Sequence, residues 1–263
     1  MKKYFVIGNP INHSLSPLLH NYWIKKNNIK AIYDKKQVEI NDLQDIVSQV
    51  KNNKIQGINV TVPFKKEIIP FIDQLSPEAE ATQSVNTVYV REGKTIGHNT
   101  DIAGFELNLK KIKYDTNNKK IFILGAGGVV PSIIFTLNKM NVSSIILSNR
   151  TKEKALDLKK LFQNLEVTDW GNIPDFDMVI NATSVGLNKS DKLDLNFSKV
   201  QNNKLFYDVI YNPEETDFLK TGKKLGNKCE NGTMMFIYQA HQAFTIWHNL
   251  MPEINEEVTK ILK

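Results

Sequence analysis

The sequence predicts an α/β fold, two α/β domains flanking a cleft, the first built on a mixed, mostly parallel sheet. Three observations predict it. Strand-like apolar runs alternate with helix-spaced segments along nearly the whole chain. Two of the early runs are joined by the short turn Arg91-Glu92-Gly93, which marks an antiparallel hairpin at the edge of a sheet. Further on, the glycine turn Gly125-Ala126-Gly127-Gly128 separates a strand-like run from a helix-like one.

Residues 4–7 are a continuous apolar run and read as a buried strand. Residues 17–26 have helical spacing and begin with Pro17, which suits a first helical turn because its missing N–H is not needed there. A second strand covers 33–38, followed by an amphipathic helix over 41–51 with Asn41 as its N-cap. A third strand covers 55–62, and 85–90 with 94–98 form the hairpin. A helix over 102–112 leads through a polar stretch to a strand over 119–124. Helices over 130–140 and 152–162 then alternate with strands over 144–148, 177–181 and 205–208, a parallel-type succession. The last segments, 234–249 and 252–262, are helical. The expected domains are 1–101 and 102–236, with 237–263 packing back on the first.

A chain of 263 residues with 41% hydrophobic content is long enough for two cores. Its net charge of +6 raises a nucleic-acid reading, but the lysines are scattered in ones and twos without aromatic interleaving. The positive balance instead favours an anionic substrate and a phosphorylated cofactor. The single cysteine, Cys229, leaves no partner for an intrachain disulfide and fits a reducing compartment. The five histidines show no metal-ligand spacing, so no metal is expected. No signal peptide and no membrane-spanning stretch is read, and the expected location is the cytoplasm.

The run Ile121-Phe122-Ile123-Leu124-Gly125-Ala126-Gly127-Gly128-Val129-Val130 has the order strand, tight glycine turn, helix. The first glycine permits the turn, the next admits a pyrophosphate close to the backbone, and the helix N-terminus supplies N–H groups for the anion. This predicts a Rossmann-type dinucleotide-binding domain. Val130 departs from the Gly or Ala usual at the sixth position of the fingerprint. The next strand ends in Ser148-Asn149-Arg150-Thr151, with Lys154 about one turn later and no carboxylate at the tip. A guanidinium suits a ribose 2′-phosphate, and Thr151 is placed both to cap the helix and to donate to that phosphate. NADP is therefore the expected cofactor.

Two charged residues complete the pattern. Lys65 follows the strand-like run ending in Asn59-Val60-Thr61-Val62, and Asp101 follows the hairpin after Asn99-Thr100. Strand ends are where ligands bind in open α/β sheets, and a lysine beside a carboxylate there suits handling the proton of an alcohol during oxidation.

Together these motifs resemble the shikimate dehydrogenase family, over nearly the whole chain. The resemblance rests on Gly8-Asn9-Pro10-Ile11-Asn12-His13-Ser14-Leu15-Ser16-Pro17, the Asn59–Lys65 run, Ser84-Val85-Asn86-Thr87 and Asn99-Thr100-Asp101. It rests further on Asn149-Arg150-Thr151 with Lys154, Asn181-Ala182-Thr183-Ser184-Val185-Gly186, Asp208-Val209-Ile210-Tyr211-Asn212-Pro213 and Gln239-Ala240. It implies NADPH-dependent, reversible reduction of 3-dehydroshikimate to shikimate in aromatic amino-acid biosynthesis, with Lys65 and Asp101 catalytic. It implies a substrate site of Ser14, Ser16, Asn59, Thr61, Asn86, Tyr211 and Gln239. Its cofactor site comprises Gly125, Ala126, Gly127, Gly128, Val129, Asn149, Arg150, Thr151, Lys154, Thr183, Ser184, Val185, Val209 and Gly232. Met234 stands where family members usually carry a second glycine. Which of Lys65 and Asp101 formally donates the proton stays open, as does a homodimer. Two other readings stand beside this one: a quinate/shikimate dehydrogenase of broader substrate or NAD use, and a non-catalytic NADP-binding regulatory protein. The expected partner is a small-molecule substrate, with neither nucleic acid nor membrane.

Overall fold

The computed structural model describes residues 1–188 and 190–262. Lys189, inside the expected second domain, and Lys263, at the end of the expected returning segment, lie outside the described residues. In chain order the elements are β1 (Lys2–Gly8), α1 (Ser16–Lys26), β2 (Ala31–Gln37), α2 (Leu43–Lys51), β3 (Gly57–Val60), β4 (Gln74–Leu75) and α3 (Pro77–Thr82). There follow β5 (Thr87–Arg91), β6 (Lys94–His98), α4 (Asp101–Lys111), β7 (Lys120–Leu124), α5 (Val130–Lys139), β8 (Ser144–Ser148) and α6 (Lys152–Leu161). The remainder are β9 (Leu165–Thr168), β10 (Met178–Asn181), β11 (Leu205–Asp208), α7 (Asp217–Lys224), β12 (Lys228–Glu230), α8 (Thr233–His248) and α9 (Glu256–Lys260). They divide into two units, 1–105 with 237–263, and 106–236. Among the described residues no helix is long and apolar enough to cross a membrane.

The first unit carries a sheet of order β2-β1-β3-β5-β6-β4. The pairs β1–β2, β1–β3 and β4–β6 are parallel, while β3–β5 and β5–β6 are antiparallel. The hairpin β5–β6 turns through Glu92 and Gly93, both at positive φ. One core packs Ile58 and Val60 of β3 and Val88 of β5 against Leu43, Ile46, Val47 and Val50 on one stripe of α2. The helix α2 reads differently at its start from the sequence expectation. Asn41 does not cap it but lies in a short 3₁₀ turn, Ile40–Asp42, closed by reciprocal bonds between Glu39 and Asp42 (Glu39 N to Asp42 Oδ2, 2.8 Å). An acid three residues after another captures both backbone donors, which a lone Asn cannot do.

The second unit carries an all-parallel sheet of order β12-β11-β10-β7-β8-β9. Numbered within the unit and read from the β9 edge, that is 3-2-1-4-5-6, the Rossmann order, which reverses direction beside β7 and so opens a crevice at the C-terminal strand ends. β7 and β10 are buried throughout apart from Lys120, as expected of strands covered on both faces.

The returning segment belongs to the first unit. Trp247 of α8 donates from Nε1 to the Val88 carbonyl (3.3 Å) and lies 5.0 Å from the Tyr4 ring. The expected helix over 252–262 is shorter: the chain is non-helical from Met251 to Asn255, where the Trp23 indole donates from Nε1 to the Glu253 carbonyl (3.1 Å). Asn255 then caps α9 by accepting from Val258 N (3.3 Å).

His20 sits among these aromatics at 1% exposure, stacked on Tyr33 (4.1 Å between centroids), and among the described residues neither of its ring nitrogens has a hydrogen-bond partner. Burial, with nearby His248 as the lesser cause, lowers it to about 3; burial, then the Lys2 charge, lowers His248 to about 4. Between those values and the ordinary histidine pKa of about 6.5 the unfolded chain binds more protons. These two rings therefore contribute stability that is lost as pH drops below about 6.5, with a slope approaching about 1.4 kcal/mol per pH unit for each ring. We predict that His20→Phe, which keeps an aromatic ring, loses less stability than the parent between pH 7 and pH 5. Urea titrations at the two pH values check this, and equal losses in both proteins would refute it.

Candidate active site

In the first unit the parallel strands β1 and β3 end side by side, and the end of β3 with the residue after it is held to both neighbours. Thr61 N donates to the Ile7 carbonyl (2.9 Å) and Val60 N to the Asn86 carbonyl (2.9 Å). Two residues past the exposed Val62-Pro63 step, Lys65 is fixed by its own carbonyl, which accepts from Val85 N (2.8 Å). Its Nζ lies 2.5 Å from Asp101 Oδ2, and the two side chains are only 11% and 8% exposed. Asp101 is the first residue of α4, where the helix dipole favours a carboxylate. The Asn99 side-chain oxygen accepts from the Asp101 backbone N–H (3.1 Å).

Asn86 locks the pair in place. Its Nδ2 donates to Asp101 Oδ1 (2.9 Å) and Thr100 Oγ1 (2.9 Å), while its Oδ1 accepts from Thr100 N (2.8 Å) and Thr87 Oγ1 (3.0 Å). Asn59 is committed in the same way. Its Nδ2 donates to the Asn86 carbonyl (3.0 Å) and Thr87 Oγ1 (3.0 Å), and its Oδ1 accepts from the Tyr33 hydroxyl (2.7 Å). Lys65, Asp101, Asn86 and Asn59 thus form one buried network. Lys65 uses one of its three N–H donors in it, among the described hydrogen bonds. Thr61 is half-buried beside it in sequence. Ser14 and Ser16 form their own group at the start of α1, with Ser16 N donating to Ser14 Oγ (3.3 Å); the N-cap itself is Leu15, and no side chain caps that helix. Gln239 is half-buried in α8.

In the second unit the glycine turn follows β7. Gly125 has φ +104°, and a Cβ there would meet the Ala182 carbonyl oxygen at 2.8 Å. Around Gly127 the same test finds only that oxygen, at 3.8 Å, so the backbone is open to a ligand. No side chain caps α5, whose N-cap is Val129; Val130 is fully buried and Pro131 falls in the first turn, where it is tolerated. Asn149 couples the turn to the next strand tip, accepting from Ala126 N (3.1 Å) and donating to the Thr151 carbonyl (2.7 Å). Thr151 occupies the N-cap of α6, but its hydroxyl makes no capping bond, contrary to expectation. Asn149 holds the peptide at that position through its carbonyl instead. Arg150 and Lys154 are exposed, whereas the intervening Lys152 is tied to Asp169 (2.6 Å).

A second group of segments gathers at the ends of β10 and β11. Asn181 Oδ1 accepts from Thr183 N (3.2 Å) and Oγ1 (2.7 Å), and Thr183 Oγ1 in turn accepts from Val185 N (3.0 Å). Gly232 N donates to the Ile210 carbonyl (3.0 Å), beside the half-buried Val209. Tyr211 stacks on Phe236, 4.3 Å between centroids. Met234, at the departure from the family pattern, is buried. Sequence reasoning passed over Tyr33, and it quoted Thr87, Asn99 and Thr100 around the charged pair, and Asn181 with Asp208 in the second unit, only as motif positions without a role. Polar residues closing otherwise apolar strands were the available signal.

Residues 6–88 match the family described as the shikimate dehydrogenase substrate binding domain, and residues 106–214 that described as shikimate/quinate 5-dehydrogenase. A shikimate dehydrogenase (NADP(+)) from Pelagibacter ubique is 56% identical over 263 residues, covering 100% of this chain and 99% of that protein. The chain belongs to the shikimate dehydrogenase family. Solved members superpose over its full length. The Aquifex aeolicus shikimate dehydrogenase is 36% identical with a TM-score of 0.90, covering 100% of this chain and 97% of its own. The Thermus thermophilus enzyme, solved with NADP(H) and shikimate, is 29% identical with a TM-score of 0.88, again over 100% and 97%. The buried Lys65–Asp101 network and the glycine turn with its cationic strand tip are therefore features of a shikimate dehydrogenase chain.

Proposed function

We propose that this chain catalyses the NADPH-dependent, reversible reduction of 3-dehydroshikimate to shikimate, a step in aromatic amino-acid biosynthesis. The observation that carries the reading is the buried Lys65–Asp101 pair, a proton-handling couple set at the strand ends of a sheet. The residues 1–101 with 237–263 are assigned to substrate and 102–236 to NADP. The second unit fits that cofactor: an open glycine turn for the pyrophosphate, and Arg150 and Lys154 exposed at the strand tip for the 2′-phosphate. NADPH, when bound, supplies the hydride.

The chain's own residues supply position and proton. Lys65 Nζ carries the proton to the carbonyl oxygen that becomes the hydroxyl, and takes it back in the oxidative direction. Asp101, held at the helix start and gripped by Asn86, aims Nζ. Asn59, Asn86 and Thr61 are assigned to the ring hydroxyls, Ser14 and Ser16 to the substrate carboxylate, and Tyr211 and Gln239 to further substrate contacts. Polar groups already fixed to one another cost little to reorganise during reaction. Gly125–Val129, Asn149, Thr151, Thr183–Val185, Val209 and Gly232 are assigned to the cofactor. The cytoplasmic location belongs to the same reading, and sedimentation velocity would separate monomer from homodimer.

The test is absorbance of reduced nicotinamide with purified protein, shikimate and NADP⁺, run beside quinate and NAD⁺. NADPH formation with shikimate supports the reading. Equal rates with quinate or NAD⁺ would replace it with the broader-specificity enzyme, and absence of turnover despite NADP⁺ binding with a non-catalytic protein. In the same assay Arg150→Ala should lower kcat/KM for NADP⁺ by about 10–100-fold, the worth of a charged hydrogen bond, with little change for NAD⁺. A parallel loss with both cofactors would remove Arg150 from the 2′-phosphate.

A further inference from the structure

Asp208 ends β11 with 0% exposure and has no part in the roles assigned above. Four bonds converge on its carboxylate. Asn181 Nδ2 donates to both oxygens (3.1 and 3.2 Å), Ile210 N to Oδ1 (3.0 Å) and Thr216 Oγ1 to Oδ2 (2.6 Å). No cation is among these partners, and burial pushes the carboxyl up to about 6 against the opposing pull of the Thr216, Ile210 and Asn181 bonds. A carboxylate without a countercharge is a costly way to fill a core. What it accomplishes is orientation.

The Asn181 amide has two faces. With Nδ2 turned to a group that only accepts, Oδ1 is left facing Thr183, where it takes both the backbone N–H and the hydroxyl. The same Nδ2 reaches the Val185 carbonyl (3.1 Å). Turning the amide over would aim Oδ1 at the carboxylate and Nδ2 at an N–H donor, so Asp208 chooses the orientation that shapes 183–185. Its Oδ1 bond to Ile210 N bends the chain around Val209, whose own N–H donates to the Asn181 carbonyl (3.0 Å). The Ile210 carbonyl then holds Gly232. Thr216, the third partner, caps α7 by accepting from Leu219 N (3.3 Å), and its methyl lies against Gly186.

We propose that Asp208 is a positioning residue for NADP(H), a buried acceptor that presets the turn over 183–185 and the Val209–Gly232 contact before the cofactor arrives. This rests on the NADP reading above. The residues that would meet the 2′-phosphate side, Asn149, Arg150 and Lys154, share no hydrogen bond with Asp208 among the described ones, so the two halves of the cofactor can be tested apart.

Calorimetric titration of the full chain with NADP⁺ and with 2′,5′-ADP, an adenosine-side fragment, supplies the test. Asp208→Asn keeps the volume and an acceptor for Ile210 N but opposes the amide of residue 208 to that of Asn181. The expected result is about tenfold weaker NADP⁺ binding, the scale of one charged hydrogen bond, with 2′,5′-ADP affinity and the KM for shikimate unchanged within about twofold. Thr216→Val, similar in shape, removes one of the four bonds together with the hydroxyl that caps α7, and should weaken NADP⁺ alone by about threefold; it carries the comparison if Asp208→Asn does not fold. Parent-like NADP⁺ binding in a folded variant, or equal loss of both ligands, overturns the proposal. Failure of the parent to bind either ligand would instead overturn the NADP reading itself.

Discussion

Lys65→Ala is expected to lower kcat for shikimate oxidation by about 10²–10⁴-fold, the usual contribution of a positioned acid or base. The KM for shikimate should move by less than about threefold, because the lost interaction is made chiefly in the transition state. The structure gives the reason for that division. Ring hydroxyls and carboxylate are assigned to Ser14, Ser16, Asn59, Thr61 and Asn86, all of which survive the substitution. Asn59 and Asn86 keep their orientation because Tyr33, Thr87 and Thr100 hold them without help from Lys65. The variant has a second consequence. Asp101, 8% exposed at its side chain, is left with Asn86 and no cation. Removing one partner of a buried pair typically costs about 3–5 kcal/mol, so the melting temperature should fall as well. Lys65→Ala/Asp101→Ala should recover part of that stability while recovering no activity. Near-normal kcat in the single variant would end the proton-transfer assignment.

Gly232→Ala is expected to cost about 1–3 kcal/mol of stability, the range of an overpacked site, and to weaken NADP⁺ binding by at least about tenfold. An added Cβ would lie 2.1 Å from the Val209 carbonyl oxygen, 2.5 Å from its carbon and 3.2 Å from the Ile210 carbonyl carbon. These are backbone atoms, so no rotamer change relieves the overlap. The strand end must move, and the Gly232 N to Ile210 O bond moves with it. The displaced segment contains Val209, assigned to the cofactor. Thermal unfolding together with titration of NADP⁺ and 2′,5′-ADP would read the effect. Unchanged melting temperature with unchanged NADP⁺ affinity would show that the loop has slack that the close contact denies.

Much of this fold could be read from local chemistry. The turn at Gly125 needs a left-handed residue, and the apolar runs of β7, β8, β10 and β11 are those of strands covered on both faces. The elements that escaped notice are short or polar. α3 has six residues with glutamates in its first turn, β12 has three, and β9 carries Glu166 and Thr168. Their places are set by neighbours rather than by their own periodicity. Lys65 and Asp101 stood out because a charge at the end of an apolar strand is unusual, and the fold brings the two into contact. Tyr33 could not stand out. It looks like any strand residue, and only the registers of β2 and of β3 on the two sides of β1 deliver its hydroxyl to Asn59. Asn41 illustrates the converse error, a strong local cap former displaced by Glu39 and Asp42 acting together.

The order of the chain has a consequence for how the protein is made. The first unit is interrupted: residues 1–105 emerge from the ribosome, then all of 106–236, and only afterwards the residues that complete it. At the usual pace of elongation the interval is on the order of ten seconds. Throughout it the Tyr4 ring lacks its Trp247 neighbour, the Val88 carbonyl lacks its indole donor, and the surface at Gly57 that the Trp247 ring covers stays open. The second unit, contiguous in sequence, has every strand of its sheet in hand by the time β12 is translated. The part begun first is therefore finished last, and the nascent chain presents an apolar sheet face to chaperones and proteases until α8 arrives.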